Sequence, residues 1–311
     1  MAQSLTGQSL VSLKDFSTEQ IHEVIQTAAA LKLERRRGQA HPLLAGKTLG
    51  MIFQKPSLRT RVSFEAGMTQ LGGHAIYLSP NDISLGKRET TEDIAQVLSR
   101  YCDIIMARVF GHDIVEGLAK HATVPVINGL SDEEHPCQVL ADLQTVYEKK
   151  GRLSGLKMAY VGDGNNMAHS LMYGCARVGM NMTAVTPETY APLDRVVADA
   201  SSIGRATGCT IDVSHDPAKG VAGADVVYTD VWASMGQEAE AAERAKIFKP
   251  FQVNMKLMAH ADRDAIFLHC LPAHYGEETD YETTRSKHSA IFDQAENRLH
   301  AQKALMVLIA G

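Results

Sequence analysis

Six segments of this chain carry polar side chains at spacings that suit chemistry. In Gln54-Lys55-Pro56-Ser57-Leu58-Arg59-Thr60-Arg61, two hydroxyls and two guanidiniums gather where a strand gives way to a helix. The backbone N–H groups of a helix's first turn are unpaired and the macrodipole adds about half a positive charge, so the set suits a phosphate or carboxylate. An N-capping Ser57 with solvated arginines explains the same residues equally well. Arg108 ends a later strand, and His135-Pro136-Cys137-Gln138 opens a second helix, where an imidazole and an amide can donate to a carbonyl oxygen or simply cap the helix.

The turn Gly162-Asp163-Gly164-Asn165-Asn166 looks like a dinucleotide fingerprint, but Met167 stands where its third glycine belongs and the next strand ends in Thr186-Pro187 rather than in an acid. The reading is therefore a small polar ligand held by side-chain amides, not NAD. Asp230 ends a strand ahead of Trp232-Ala233-Ser234-Met235-Gly236, where a carboxylate either binds an amine or caps a helix. His269-Cys270-Leu271-Pro272-Ala273-His274 follows an apolar strand, and its thiol is a nucleophile, a polar contact or inert packing. Two histidines and a cysteine without a companion ligand pair at recognisable spacing do not make a metal site, and no cofactor is expected. Arg298 lies on the last helix, where it has a role only if that helix returns to a site.

The elements that must position these residues read as alternating strands and helices. Strands are expected at 47–53, 74–78, 103–108, 125–128, 157–161, 181–186, 210–214, 225–229 and 265–269. Helices are expected at 15–33, 56–71, 91–101, 114–121, 137–150, 167–178, 193–207 and 290–309. Such alternation predicts an α/β chain of two doubly wound parallel sheets, with chemistry outside the carboxyl ends of the strands. A length of 311 residues fits two domains of about 150 each, divided at the 151–155 linker. We expect domains at 1–150 and 151–289, with a C-terminal helix, 290–311, returning to the first.

Composition narrows the class of function. With 31 Lys and Arg against 36 Asp and Glu, the net charge of −5 lacks the basic excess of a nucleic-acid binder. No apolar run approaches the roughly 18 residues of a membrane span and the first basic residue is Lys14, so neither a membrane helix nor a signal peptide is expected, and a cytoplasmic location is. Five scattered cysteines without a CxxC pair argue for free thiols.

Read together and in order, Ser57-Leu58-Arg59-Thr60-Arg61, His135-Pro136-Cys137-Gln138, Asp230 with Ser234-Met235-Gly236, and His269-Cys270-Leu271-Pro272 resemble the aspartate/ornithine carbamoyltransferase family; the last two segments are similar to its ornithine-specific branch. The resemblance runs from the first helix to the last. It implies transfer of a carbamoyl group from carbamoyl phosphate to the δ-amine of L-ornithine, giving L-citrulline and phosphate, in a cleft between the two domains. Ser57, Leu58 (through its backbone), Arg59, Thr60, Arg108, His135, Gln138 and Arg298 are then implied to hold carbamoyl phosphate, and Asn166, Asp230, Ser234, Met235, Cys270 and Leu271 to hold ornithine. Catalytic roles fall to Arg108 and His135 at the carbonyl oxygen and to Asp230 and Cys270 at the amine, without a covalent enzyme intermediate.

Two positions depart from the family's pattern: Leu58 replaces a cradle threonine, and Ser84 stands where many relatives have a glutamine reaching a neighbouring subunit, a role open to Lys87 or Arg88. Homotrimers, or multiples of them, are implied by the resemblance. A carbamoyltransferase for putrescine or an N-acylated ornithine is the alternative, with an NAD-dependent oxidoreductase a distant one.

Overall fold

The computed structural model describes residues 4–83, 89–233 and 240–311. Its contacts divide the chain into two units, Met1–Gln144 with Glu296–Gly311, and Thr145–Ala295.

The first unit holds β1 (Thr48–Phe53), β2 (His74–Leu78), β3 (Ile104–Arg108) and β4 (Val126–Leu130), all parallel, in the order β2-β1-β3-β4. Its helices are α1 (Thr18–Arg36), α2 (Leu58–Gln70), the short α3 (Pro80–Ile83), α4 (Thr91–Tyr101), α5 (His112–His121) and the start of α6 (Pro136–Lys150). The helices begin where the sequence supplies caps. Ser17 closes a capping box with Gln20 at α1, and Thr90 accepts from Asp93 N–H at α4. Ile52, Ile94, Ile105, Val109, Val115, Leu118 and Val126 form one buried cluster. At about 1.5–3 kcal/mol for each large aliphatic removed from water, that layer fixes the sheet against its helices.

The second unit holds β5 (Lys157–Val161), β6 (Asn181–Val185), β7 (Ile211–Ser214), β8 (Val226–Thr229) and β9 (Ile266–His269), again parallel, in the order β7-β6-β5-β8-β9. Around them lie α7 (Asn166–Arg177), α8 (Asp194–Thr207), α9 (Pro217–Val221), α10 (Ala241–Phe248), α11 (Met255–Met258) and α12 (Tyr281–Arg285). The final helix, α13 (Ile291–Ala310), gives Glu296 onward to the first unit.

Sequence periodicity missed α9, which carries the chain from β7 toward β8. Asp216 caps it and Pro217 occupies its first position, yet five residues span little more than one turn and leave no periodic stripe to read.

Each sheet reverses its strand order once, and that determines where the candidate residues gather. In the first sheet the chain passes from β1 to β2 on one side and then to β3 on the other, with Phe53 opposite Arg108. In the second it runs β5, β6, β7 outward and then returns to β8, with Val161 opposite Thr229. Loops leaving the two central strands of each sheet diverge there and leave a crevice at the strands' carboxyl ends. Among the described residues no helix is long and apolar enough to cross a membrane.

Candidate active site

At the crevice of the first sheet, the loop after β1 leads into α2. Ser57 caps that helix: its Oγ accepts from Thr60 N–H at 3.3 Å and donates to Thr60 Oγ1 at 3.1 Å. Leu58 and Arg59 follow as the first helical residues; the Leu58 side chain is exposed, so only its backbone can serve a ligand at the helix start. The loop after β1 is tied to the one after β3, because Gln54 N–H donates to Arg108 O at 2.8 Å and Phe110 N–H to Gln54 Oε1 at 2.9 Å. Lys55 lies over the Phe110 ring, and burial beside Arg108 lowers its pKa. Arg61 turns elsewhere, to Glu65 at 2.9 Å and the Tyr77 ring at 3.8 Å, so one of the two guanidiniums counted at this helix start is committed to the surface.

Arg298 arrives from α13. Buried, it donates to Gln138 Oε1 at 2.7 Å and to Thr60 Oγ1 at 3.3 Å. Gln138 passes the constraint on, donating to Asp142 Oδ1 at 2.8 Å. Gln302 faces Arg298 with its amide oxygen, 3.0 Å from Nη2 and 3.1 Å from Nε, since the opposite orientation would set donor against donor. His135 is buried, and desolvation together with Arg298, Arg108 and Arg59 holds its pKa well below the usual histidine range. The imidazole is therefore neutral at physiological pH while the groups around it are cationic. Its loop is pinned from behind, where Ser131 Oγ accepts from Glu134 N–H at 3.2 Å and the buried Glu134 accepts from Leu13 N–H at 3.4 Å. Cys137 packs below with its thiol pushed up to about 12 by burial, so it is an inert neighbour.

At the crevice of the second sheet, Asp230 follows β8 and Cys270 follows β9. The Cys270 thiol donates to Asp230 Oδ1 at 2.9 Å, and Val231 N–H donates to the same oxygen at 2.8 Å. Asn165 Nδ2 reaches Asp230 Oδ2 at 3.3 Å, while Asn165 Oδ1 caps α7 and accepts from Tyr160 OH at 3.2 Å. Asn166, the asparagine singled out by the sequence reading, is the first residue of α7 and half-buried; the contact to Asp230 is made by its neighbour. In the sequence, only the N-cap position at the start of α7 points to Asn165. The glycine turn has a packing role as well, because a Cβ on Gly164 would fall 2.2 Å from Pro192 N, where the 190–192 backbone crosses it.

Leu271 adopts φ +59, a left-handed conformation that costs a γ-branched residue roughly 1–2 kcal/mol. It is held there by its N–H, which donates to His269 Nδ1 at 2.8 Å. That contact leaves the His269 proton on Nε2, which faces the fully buried Glu278 Oε1 at 3.0 Å. The same carboxylate oxygen accepts from His274 N–H at 2.6 Å. The sequence pattern marks His269 only as a possible metal ligand and gives no sign of Glu278. Asp230, His269 and Cys270 do offer ligand atoms within 4.8 Å of one another, as do His274, Glu277 and Glu278. Both His269 nitrogens are already engaged, one by Leu271 N–H and one by Glu278 Oε1, which also accepts from His274 N–H.

Asp163 and Arg244 also escape a reading of the sequence. Arg244 Nη1 lies 2.8 Å from Asp163 Oδ2 and donates to Trp232 O at 3.0 Å, with its guanidinium over the Tyr190 ring. Burial raises the Asp163 pKa to about 6 despite that partner. The pair braces the chain just beyond Asp230. Ser234 and Met235, expected here, lie outside the described residues, as do Ser84, Lys87 and Arg88.

Residues 8–148 match the family described as aspartate/ornithine carbamoyltransferase, carbamoyl-P binding domain, and residues 154–309 match its Asp/Orn binding domain. The chain belongs to the aspartate/ornithine carbamoyltransferase family. Members similar to it include the ornithine carbamoyltransferase of Thermococcus kodakarensis and the anabolic ornithine carbamoyltransferase of Pyrococcus furiosus, each 56% identical over 311 residues, covering 100% of this chain and 99% of the relative. Among solved structures, that of the Pyrococcus furiosus ornithine carbamoyltransferase superposes with a TM-score of 0.97 at 55% identity, covering 100% of this chain and 99% of the other. The anabolic ornithine carbamoyltransferase of Campylobacter jejuni gives 0.90 at 38%, covering 96% and 97%. The family's two domains thus correspond to the stretches that carry the anion-suited and amine-suited side chains.

Proposed function

We propose that this chain is an ornithine carbamoyltransferase, transferring the carbamoyl group of carbamoyl phosphate to the δ-amine of L-ornithine to give L-citrulline and phosphate. The observation that carries the reading is the pair of crevices: a helix start with guanidiniums and a neutral imidazole at one strand-order reversal, and a carboxylate–thiol pair at the other. Full-length identity of 56% to ornithine carbamoyltransferases supports it further.

In this reading Ser57, Thr60, Arg59 and the amides of Leu58 and Arg59 take the phosphate, with Arg298 and Gln138 closing the cradle. Cationic donors there stabilise the dianion as it leaves. Arg108 and His135 donate to the carbonyl oxygen as it gains charge; because His135 is neutral, it donates one hydrogen bond without giving up its proton. Ornithine's δ-amine resembles a lysine amine, whose free pKa is about 10.4, so it must shed a proton to solvent before it can attack. Asp230 and Cys270 orient it, while Asn166, Ser234, Met235 and Leu271 hold the rest of the amino acid. The nitrogen then adds to the carbonyl carbon, the carbon–oxygen bond to phosphate breaks, and the nitrogen's remaining extra proton passes to an oxygen of the departing phosphate. Both substrates reacting directly need only positioning and electrostatics, so no covalent enzyme intermediate is required.

The reading carries with it a cytoplasmic enzyme of arginine biosynthesis that assembles as a homotrimer or a multiple of one. Exposed Leu58, Val62, Val97 and Tyr101 offer apolar surface for such assembly. A colorimetric citrulline assay with carbamoyl phosphate and ornithine, run beside putrescine and acetylornithine, tests the substrate. Ornithine should be carbamoylated fastest, and faster turnover of putrescine would refute the assignment. Light scattering of the purified chain tests the trimer.

A further inference from the structure

Arg298 reaches the anion cradle from a helix that also buries Asn297, His300 and Lys303, for which the reaction supplies no reason. Lys303, five residues further along α13, is completely buried, and its ammonium contacts His41 Nε2 and donates to Gln70 Oε1 at 3.1 Å. Gln70 is the last residue of α2, and Thr60, which Arg298 contacts, lies in the first turn of that helix. The two side chains of α13 therefore grip α2 at both ends, roughly 15 Å apart at 1.5 Å per residue. Between them the helices touch at Gly67, where a Cβ would stand 3.2 Å from Met306 Cε and 3.3 Å from Lys303 Cγ.

A buried ammonium is costly unless hydrogen-bonded, so a sequence gains nothing in stability from one that a packed methionine would not supply more cheaply. What the ammonium adds is direction, since its donors accept only one register of α13 against α2 and the 37–47 loop. The groups facing it are His41, Glu34 and Arg35 near the end of α1, Gln70 of α2, and His300 on its own helix. Burial and Arg35 lower the Lys303 pKa to about 8, and burial lowers that of His41, so near neutral pH a charged amine meets a neutral imidazole able to accept. Lys32 of α1 donates to Asn297 Oδ1 at 2.6 Å, next to Arg298 in the chain.

We propose that Lys303 is a positioning residue for carbamoyl phosphate: by tying α13 to the end of α2 and to His41, it fixes the register at which Arg298 meets Thr60 and Gln138. The proposal rests on the reading that Arg298 binds carbamoyl phosphate, and a double-mutant cycle on the full-length enzyme separates the two. Arg298→Ala, Lys303→Met and the double variant are compared with the unaltered chain by kcat and by the KM for each substrate. Arg298→Ala should raise the carbamoyl-phosphate KM roughly 100-fold. Lys303→Met should raise it about tenfold, a fraction of what an ångström of misplacement can cost, with the ornithine KM within about twofold. In the Arg298→Ala background Lys303→Met should add less than about twofold, because its route of action is already gone.

A merely structural lysine would weaken both backgrounds alike, and that result, or an unchanged KM in the single variant, overturns the proposal. If Arg298→Ala keeps the original carbamoyl-phosphate KM, the Arg298 reading falls and this proposal with it. Should Lys303→Met yield no folded enzyme, Gly67→Ala, whose Cβ would press on Lys303 Cγ and Met306 Cε and so displace the Lys303 side chain, takes its place in the cycle. A raised carbamoyl-phosphate KM that vanishes in the Arg298→Ala background supports the proposal, and equal losses in both backgrounds overturn it.

Discussion

In the first unit a neutral imidazole lies near three guanidiniums, and one of them, Arg298, meets residues 160 and 238 positions away. In the second unit Asp230 is met by a thiol and an amide that lie 40 and 65 positions away, on loops leaving neighbouring strands. The first arrangement is built for a fixed charge, because guanidiniums stay protonated at any working pH and their donors point one way. The second suits a ligand whose charge must change. A carboxylate whose direct hydrogen-bond partners are a thiol, a backbone amide and a side-chain amide can hold an ammonium and still let it go as an amine. In the proposed reaction that difference becomes a division of labour, with rigid, cation-rich electrostatics at the leaving group and softer polar contacts at the nucleophile.

The sharpest break between the halves comes from a reciprocal pair of variants. Arg59→Ala should cut kcat/KM for carbamoyl phosphate by about 10²- to 10³-fold, and Asp230→Asn should cut kcat/KM for ornithine by about 10²-fold, each leaving the other substrate's KM nearly unchanged. Steady-state kinetics with each substrate varied in turn checks this, and a loss shared equally between substrates would dissolve the division.

A smaller effect concerns stability in the second unit. Arg244→Ala leaves Asp163 as a buried carboxylate without its ion partner and should cost about 3 kcal/mol at pH 7.5. Burial already raises the Asp163 pKa to about 6, so below that pH the group is protonated, the unpaired charge disappears and the penalty shrinks. Urea unfolding of the variant and parent at pH 7.5 and pH 5 gives the comparison. In the first unit the sign is opposite. His135 resists protonation in the fold but titrates near 6.5 when unfolded, so the unfolded chain binds the extra proton and stability falls as pH drops through 6.5. His135→Gln should remove about 1 kcal/mol of the stability difference between pH 7.5 and pH 5.5, read from the same unfolding curves. Least affected should be Arg61→Ala. With its guanidinium committed to Glu65 and Tyr77, it should change the carbamoyl-phosphate KM by less than about twofold and stability by under about 1 kcal/mol.

Much of the scaffold is legible in the linear order of residues. Buried strands such as β1 and β5 announce themselves as short apolar runs, and α1 and α4 by caps whose partners lie three residues away. Ser57 is legible for the same reason. The five-residue α9 is not, and neither is the choice between Asn165 and Asn166, since a shift of one residue at a helix start decides which side chain caps the helix. Asp163 with Arg244, and His269 with Glu278, lie in plain view as polar residues, but nothing local says that an aspartate will meet an arginine 81 positions on.

The amino-acid order by itself determined the alternation of strands and helices, the two families of side chains, and the helix start suited to an anion, because hydrogen-bonded caps and apolar periodicity are settled within a turn or a strand. Only the tertiary structure decided that Arg298 comes back to Thr60, that Arg61 does not join it, and that His135 stays neutral. Those outcomes depend on desolvation and on charges summed over everything nearby in space, and neighbours in space are what a linear order leaves unstated.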